Sequence, residues 1–221
     1  DRVGPEVLTD LHAVVDDPKD IPWSLLPSRF ALKATHGCGT TLLADDRVSR
    51  DVGLPPFDPQ RPWGVTVRLH PSRLQEDPRT EPLLRAWLRS NYWRAFGISE
   101  WQYRDIPPRL VIEELLSDSN GQSPEDYKFW CFEGRVGLVQ VDIDRFTHHT
   151  RALFGRNGEP LDASIQYPRP AVSPPLPPSF EQLRETAERL ARGLDFVRVD
   201  LYDVDGRIVF GEMTLTPGGG N

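Results

Sequence analysis

The stretch Phe196-Val-Arg-Val-Asp-Leu-Tyr-Asp-Val-Asp-Gly-Arg-Ile-Val-Phe-Gly-Glu-Met-Thr-Leu-Thr-Pro-Gly218 decides the fold. In its first part, apolar and β-branched residues alternate with Arg198 and Asp200, as expected of a strand. Asp203-Val-Asp-Gly206 is typical of a turn, and a second strand follows from Arg207 to Met213. The stretch therefore predicts a β-hairpin.

Charged side chains on this hairpin indicate a site. Arg198 and Asp200 are two residues apart, so a regular strand presents them on the same face. The partner strand can bring Glu212 beside them. Carboxylates are the hard oxygen ligands that Mg²⁺ prefers, and an arginine between acids indicates phosphate together with metal. We attribute Asp203 and Asp205 to the turn instead.

The composition describes a globular protein of 221 residues with 38% hydrophobic content, enough for a substantial core. The formal net charge of −7 argues against a nucleic-acid partner, which would need a basic face. No apolar run is long enough for a transmembrane segment and no signal peptide is evident, so the sequence predicts a cytoplasmic location. The two cysteines, Cys38 and Cys131, lack CxxC spacing and are interpreted as reduced thiols.

A lysine at the end of a predicted strand precedes a loop of small residues. The segment Leu26–Ala34 is interpreted as a turn followed by a strand that carries Lys33. The following Thr35-His-Gly-Cys-Gly-Thr-Thr41 places Gly37 and Gly39 where backbone N–H groups can cradle phosphate oxygens. The loop is not a Walker A motif. Taken singly, these residues are better explained as a solvated edge lysine and an ordinary loop, and only their combination indicates a phosphate site.

The remaining pattern predicts alternating strands and helices. An amphipathic helix is expected from Glu81 to Phe96, and a strand from Arg109 to Leu116. A second hairpin joins Asp126–Phe132 to Val136–Asp142 through a turn at Glu133-Gly134. The proline-rich segment 167–178 is expected to be extended, and a helix from Phe180 to Arg192 follows, with Ser179 as its N-cap.

The order of these motifs resembles the ATP-grasp superfamily. The chain end, Arg198-Val-Asp-Leu-Tyr followed by Glu212-Met-Thr-Leu-Thr-Pro-Gly218, is similar to the D-alanine:D-alanine ligase pattern Arg-Val-Asp-Phe-Phe, then Glu-Val-Asn-Thr-x-Pro-Gly. Three segments resemble more closely the TupA-like ATP-grasp family, which is associated with teichuronopeptide and other surface-polysaccharide synthesis. They are Leu26–Gly39, Asp126–Gly134 and Val197–Tyr202, and the resemblance covers nearly the whole chain.

The resemblance implies an α+β fold of the ATP-grasp type, in which two α/β lobes with antiparallel-rich sheets clasp ATP. It implies a domain division into an N-terminal remnant or linker at 1–24, a first lobe with the hinge at 25–116, and a second lobe at 117–221. The usual N-terminal substrate lobe is expected to be largely absent, and the chain, which starts without methionine, is expected to be an excerpt of a longer protein.

The resemblance also implies a role for particular residues. ATP phosphates would contact Lys33 and the loop that contains Thr35, His36, Gly37 and Gly39, and the adenine would meet the backbone of a hinge at Glu113, Glu114, Leu115 and Leu116. Asp126 would bind ribose, and Lys128 would reach a phosphate or the substrate acid, unless it is a solvated strand lysine. An isolated histidine in a polar loop is more often simply exposed, and this alternative applies to His36.

The metal ligands implied by the resemblance are Asp200 and Glu212, with Arg198 beside the acyl-phosphate. Thr214 departs from the pattern, because ligases of this type carry an asparagine there as a ligand. A hydroxyl is a poorer ligand for Mg²⁺, so binding of a second ion is in doubt.

The function implied is an ATP- and Mg²⁺-dependent ligase that activates a carboxylate as an acyl-phosphate and joins it to an amine, on a polysaccharide precursor of the cell surface. Phosphoryl transfer of this kind depends on charge neutralisation and positioning, which lysine, arginine and two acids can supply. Two alternatives remain: a non-catalytic module that binds a nucleotide or sugar, and a glycosyltransferase that acts on a metal-bound nucleotide sugar.

Two adjacent histidines, His148 and His149, invite a metal interpretation. Neighbouring residues on a strand point to opposite faces, so the pair cannot easily bind one ion. Together with Asp144, Arg145 and Thr147, they fit recognition of substrate or phosphate better.

Overall fold

The structure is a computed structural model that describes residues 2–97, 100–143 and 148–220. The chain divides into two compact units. The first unit comprises Asp10–Leu115 with Gly218–Asn221, and the second comprises Asp1–Thr9 with Leu116–Pro217.

The first unit is built on a mixed five-stranded sheet with the strand order β1-β5-β2-β3-β4. Only β3 and β4 are parallel among these strands, and the other neighbours are antiparallel. The strands are β1 (Leu11–Val15), β2 (Phe30–Ala34), β3 (Thr40–Ala44), β4 (Val65–Leu69) and β5 (Leu110–Glu114). The helices are α1 (Pro71–Glu76) and α2 (Thr80–Arg89), with 3₁₀ helices at Pro18–Asp20, Trp23–Leu25, Tyr92–Gly97 and Trp101–Tyr103.

Helix α2 packs on the apolar core of the first unit. Leu83, Leu84 and Trp87 recur at helical spacing and are fully or almost fully buried. The helix is shorter than the predicted span of 81–96, because Ser90 adopts an extended conformation, with a ψ of 153°, and ends it. A 3₁₀ helix follows instead, so the amphipathic face was predicted correctly and the end of the helix was not.

The second unit is built on an entirely antiparallel five-stranded sheet with the order β10-β9-β6-β7-β8. Its strands are β6 (Asp126–Phe132), β7 (Arg135–Ile143), β8 (Thr150–Phe154), β9 (Phe196–Val204) and β10 (Arg207–Thr214). Its helix is α3 (Phe180–Ala191), with a 3₁₀ helix at Pro5–Val7. A last 3₁₀ helix, Pro217–Gly220, contains the division between the two units.

Strict alternation along these strands separates an apolar face from a polar face. Phe129, Val199 and Leu201 are fully buried in a core cluster that includes Leu183 and Ala187 of α3. Burying each such side chain contributes roughly 1.5–3 kcal/mol. The residues between them on β6 and β9 therefore project from the opposite face of the sheet.

Both predicted hairpins are present in the second unit. The β6–β7 turn has Glu133 and Gly134 at positive φ, 49° and 76°, and the β9–β10 turn has Asp205 and Gly206 at 53° and 88°. Two successive residues at positive φ form the two-residue turn that matches the twist of the strands in a hairpin. The proline-rich segment 167–178 contains no helix or strand, as expected.

The structure differs from the sequence-based expectation in three strands and one helix cap. Strands β1, β4 and β8 were not predicted, and β1 lies inside the segment 1–24 that was expected to be a remnant or linker, although it pairs with β5. Ser179 precedes α3 as expected, but its hydroxyl bonds to Asp203 and makes no cap hydrogen bond.

Among the described residues, no helix has the length and apolar character needed to cross a membrane.

Candidate active site

The polar face of the second sheet brings several of the predicted site residues together in one row. Lys128 of β6 lies opposite Asp200 of β9, and Asp200 lies opposite Glu212 of β10. Arg198 lies two residues before Asp200 on β9 and projects from the same face. We call Lys128, Arg198, Asp200 and Glu212 the charged row.

Asp200 is the centre of the charged row. Its side chain is 3% exposed, and Arg198 donates to both of its oxygens, from Nε to Oδ1 at 2.6 Å and from Nη2 to Oδ2 at 2.8 Å. The Lys128 Nζ donates to Oδ2 as well, at 2.6 Å. Two cations therefore compensate one buried carboxylate, which is the condition under which a charge can stay buried.

Lys128 also donates to Asp126, two residues earlier on the same face of β6. Burial alone lowers the pKa of Lys128, but the carboxylates of Asp126 and Asp200 outweigh burial, and the pKa is raised overall. The lysine is thus a buried ammonium held between two acids. The alternative of a solvated strand lysine does not describe it, because its side chain is only 9% exposed.

Glu212 is brought beside Asp200 by an irregularity in β10. Residues up to Phe210 pair with β9 in one register, and the register shifts by one residue at Gly211, so that Glu212 lies opposite Asp200. Partial burial and the Asp200 carboxylate raise the pKa of Glu212, against the lowering effect of Arg198. The carboxylate accepts a hydrogen bond from Arg198 Nη2 at 2.7 Å and remains half exposed.

Thr214 follows Glu212 on the same face of β10. Its hydroxyl donates to Glu212 Oε1 at 3.2 Å and accepts from Arg198 Nη2 at 3.1 Å. The residue that departs from the ligase pattern therefore lies in contact with the charged row.

The donor set of this face fits a magnesium ion that is shared with phosphate. Asp200, Glu212 and Thr214 offer carboxylate and hydroxyl oxygens, and Mg²⁺ is commonly held by one or two carboxylates together with substrate phosphates. Within the described ranges, no group of three or more His, Cys, Asp or Glu side chains is arranged to hold a metal without such help. These residues can hold the ion only as part of a wider ligand set.

The polar face extends over residues that the sequence pattern did not indicate. Trp130 donates to Gln140 at 3.3 Å, and Gln140 donates to Asp142 at 3.0 Å. Arg151 of β8 binds Asp142 at 2.6 Å through Nε and is 8% exposed at its side chain. Spacing by two along β6 and β7 is the signal that could have identified Trp130, Gln140 and Asp142 as neighbours on one face.

Lys33 of the first unit lies on β2 as predicted and is paired with an acid. Its Nζ donates to Glu113 of β5, a predicted hinge residue, and the two side chains are 44% and 19% exposed. Lys33 therefore carries its charge at an accessible position. The same strand pairing places Glu113 opposite Ala31.

The predicted hinge begins as a regular strand. Glu113 and Glu114 are the last residues of β5, and the backbone N–H of Glu114 donates to the carbonyl of Asp10 at 2.8 Å. Leu115 and Leu116 follow the strand, and the division between the two units falls between them. Fewer backbone groups of the predicted hinge are therefore open to a ligand than the sequence indicated.

The loop after β2 is fixed to the first unit. The Thr35 hydroxyl donates to the carbonyl of Pro107 at 2.7 Å and accepts from the N–H of Arg109 at 3.0 Å. A Cβ atom at Gly37 would come within 2.5 Å of the Trp63 ring. Gly39 has a φ of 66°, a conformation that favours glycine. Close packing and backbone conformation thus both require glycine in this loop.

His36 is buried in the first unit, 4% exposed. Its Nε2 lies 3.0 Å from the carbonyl oxygen of Trp87 and 3.2 Å from that of Ser90, so the imidazole satisfies carbonyl groups at the C-terminal end of α2. Burial lowers the pKa of His36. The exposed alternative is therefore wrong, and His36 occupies a position that supports the loop, while its contact with phosphate stays a prediction.

His148 and His149 precede β8 and do not lie on a strand, although their surroundings differ. His148 is exposed, while the His149 ring stacks on Tyr167 at 3.7 Å between centroids and its Nε2 lies 3.2 Å from Asp142 Oδ1. Asp144, Arg145 and Thr147, which were grouped with these histidines, lie outside the described residues.

Comparison with solved structures finds ATP-grasp ligases. The ligase PsnB complexed with a minimal precursor is 13% identical with a TM-score of 0.45, and the match covers 94% of this chain and 46% of that chain. D-alanine–D-alanine ligase from Bacillus anthracis complexed with ATP is 13% identical with a TM-score of 0.44, and the match covers 94% and 48%. The chain thus spans about half the length of these proteins.

No curated protein matches the chain. The family described as TupA-like ATPgrasp matches residues 4–221, nearly the entire sequence. That match agrees with the α+β architecture, the two sheets and the motif order of Lys33, the Glu113 strand and the β9–β10 hairpin. The chain belongs to the TupA-like ATP-grasp family.

Proposed function

We propose that this protein is an ATP- and Mg²⁺-dependent ligase that activates a carboxylate as an acyl-phosphate and joins it to an amine. The observation that carries the proposal is the charged row, which sets a buried cation, Lys128, and a partly buried one, Arg198, against two acids that suit magnesium. Membership of the ATP-grasp family supports the same reaction class.

The residues would act through charge and position. Arg198 and Lys128 would stabilise negative charge on the transferred phosphoryl group, and Asp200 with Glu212 would hold the magnesium ion, which neutralises phosphate charge when bound. Lys33 and its loop are proposed to contact phosphates, Asp126 the ribose, and the segment Glu113–Leu116 the adenine.

The reaction has two steps. A carboxylate oxygen attacks the terminal phosphorus of ATP, ADP leaves, and an acyl-phosphate forms. The amine nitrogen then attacks the acyl carbon, phosphate leaves, and the amine loses its proton. We propose a precursor of a cell-surface polysaccharide as the substrate and the cytoplasm as the location, on the basis of the family resemblance.

Hydroxylamine provides a direct test, because it traps an acyl-phosphate as a hydroxamate whatever the natural amine is. The protein is incubated with ATP, Mg²⁺, hydroxylamine and a panel of amino acids and sugar acids, and ADP and hydroxamate are measured together. We expect equal amounts of ADP and hydroxamate with at least one acid, and neither product with the Asp200→Asn variant. ADP without hydroxamate would contradict acyl activation.

The second candidate is a module that binds a nucleotide without ligation. It is favoured by Thr214, which stands where the ligase pattern carries asparagine. Nucleotide binding with no ADP formation across the acid panel would favour this candidate over the ligase.

A further inference from the structure

We propose that in the nucleotide-free protein the ammonium group of Lys128 holds Asp200 in place of a metal ion, so that a divalent cation enters only together with nucleotide phosphates. This inference rests on the proposed function, since it concerns the order in which the same site is filled. It assigns Lys128 a role that differs from simple phosphate contact.

The hydrogen bonds to Asp200 leave few of its lone pairs open to a metal ion. A carboxylate has about four lone-pair positions, and three of them already accept hydrogen bonds from Arg198 and Lys128. The side chain is 3% exposed, so water does not compete for these positions. One position on Oδ1 remains, whereas Oδ2 already accepts two hydrogen bonds, so a metal ion that binds Oδ2 must displace a protein cation.

The net charge of the site also opposes the binding of a metal ion alone. Three carboxylates, Asp126, Asp200 and Glu212, face two cations, Lys128 and Arg198, which leaves one negative charge in excess. A lone divalent ion would turn this into an excess of one positive charge at a largely buried site, where uncompensated charge is costly. Phosphates that arrive with the ion restore the balance.

Lys128 is better suited than Arg198 to release Asp200. Its ammonium is a compact charge on a flexible four-carbon stem, whereas the guanidinium of Arg198 is fixed by a planar, two-bond contact with Asp200. Of the two cations, Lys128 is the one that can turn from Asp200 toward an incoming phosphate. The binding of phosphate and the release of Asp200 are thereby coupled.

Manganese titration without nucleotide tests the proposal, with the free ion followed by electron paramagnetic resonance. The wild-type protein should bind Mn²⁺ weakly, and Lys128→Met should bind it at least about tenfold more tightly, since even a modest ion-pair energy corresponds to that factor. Adding a non-hydrolysable ATP analogue should tighten Mn²⁺ binding to the wild type by a similar factor or more.

Three variants control the result. Lys128→Arg keeps the charge and should bind Mn²⁺ as weakly as the wild type. Arg156→Met removes one positive charge from a pair with Glu188, outside the charged row, and should not change Mn²⁺ binding. Lys128→Met combined with Asp200→Asn should lose the gained affinity.

The proposal is overturned if Lys128→Met binds Mn²⁺ no more tightly than the wild type. If that variant does not fold, as judged by circular dichroism, the wild-type comparison decides: Mn²⁺ binding that is equally tight without and with the ATP analogue overturns the proposal. A failure of the proposed function appears separately, as absence of analogue binding to the wild type in the presence of Mg²⁺.

Discussion

Glu212 lies opposite Asp200 because β10 contains one extra residue at Gly211. The β9–β10 turn sets a register in which Phe210 pairs with Leu201, and uninterrupted pairing would place Glu212 opposite the fully buried Val199. The shift therefore moves the glutamate from the apolar face of the sheet to the polar face.

Gly211→Ala should weaken this arrangement. A Cβ atom at Gly211 would lie 3.0 Å from the carbonyl oxygen of Asp200 and 3.0 Å from the Tyr202 ring, so the strand must shift. We expect a loss of about 1–3 kcal/mol in the free energy of unfolding and weaker binding of a magnesium–nucleotide complex. Urea unfolding and calorimetric titration measure the two effects.

Gly193→Ala is the matched control for that variant. Gly193 has a φ of 73°, and a Cβ atom added there would meet nothing within 4 Å, so alanine adds backbone strain of about 1–2 kcal/mol without a clash near the site. It should lower stability and leave nucleotide affinity unchanged. Equal nucleotide affinity in both alanine variants would contradict a role for the strand irregularity in positioning Glu212.

The stability of the first unit should depend on pH through His36. Burial lowers the folded-state pKa of His36 below the ordinary 6.5, so the unfolded chain takes up the proton first as pH falls. The stabilisation contributed by neutral His36 is therefore present above pH 6.5 and is lost as pH falls from there toward the lowered folded-state pKa.

His36→Gln provides the comparison, because glutamine can donate to a carbonyl but does not titrate in this range. We expect it to cost about 1 kcal/mol at about pH 7.5 through lost packing and hydrogen bonding. Urea unfolding at about pH 7.5, 6.5 and 5.5, on either side of the ordinary histidine pKa, should show a smaller decline for the variant than for the wild type. Parallel declines would show that His36 does not cause the pH dependence.

Thr214 offers a test of the departure from the ligase pattern. Its hydroxyl already lies between Arg198 and Glu212, and an amide oxygen at this position is a better ligand for Mg²⁺. Thr214→Asn should lower the Mg²⁺ concentration needed for half-maximal binding of an ATP analogue, and Thr214→Val should raise it, by about tenfold. Identical magnesium dependence in all three proteins would remove Thr214 from the ligand set.

The sequence was sufficient for the hairpins and for the residues of the charged row. Alternation along β6 and β9 predicted that Lys128 shares a face with Asp126, and Arg198 with Asp200, since both inferences need only local geometry. The motif order also predicted the family correctly.

What the sequence could not supply depends on contacts distant along the chain. Arg151 falls in a segment whose local pattern is typical of a loop, yet it is buried because Asp142 of the neighbouring strand pairs with it. The position of His36 beneath the end of α2, the pairing of Lys33 with Glu113, and the register shift at Gly211 are likewise tertiary features. No local propensity encodes them.

The proposed function requires that the charged row and Lys33 both contribute to the binding of a magnesium–nucleotide complex. Calorimetric titration of a non-hydrolysable ATP analogue, with and without Mg²⁺, measures this binding on the wild type, Lys33→Ala, Asp200→Asn and the control Arg156→Met. We expect magnesium-dependent binding to the wild type and the control, and at least about tenfold weaker binding to the two site variants, the loss expected when a charged contact is removed. Unaltered affinity in both site variants would contradict it.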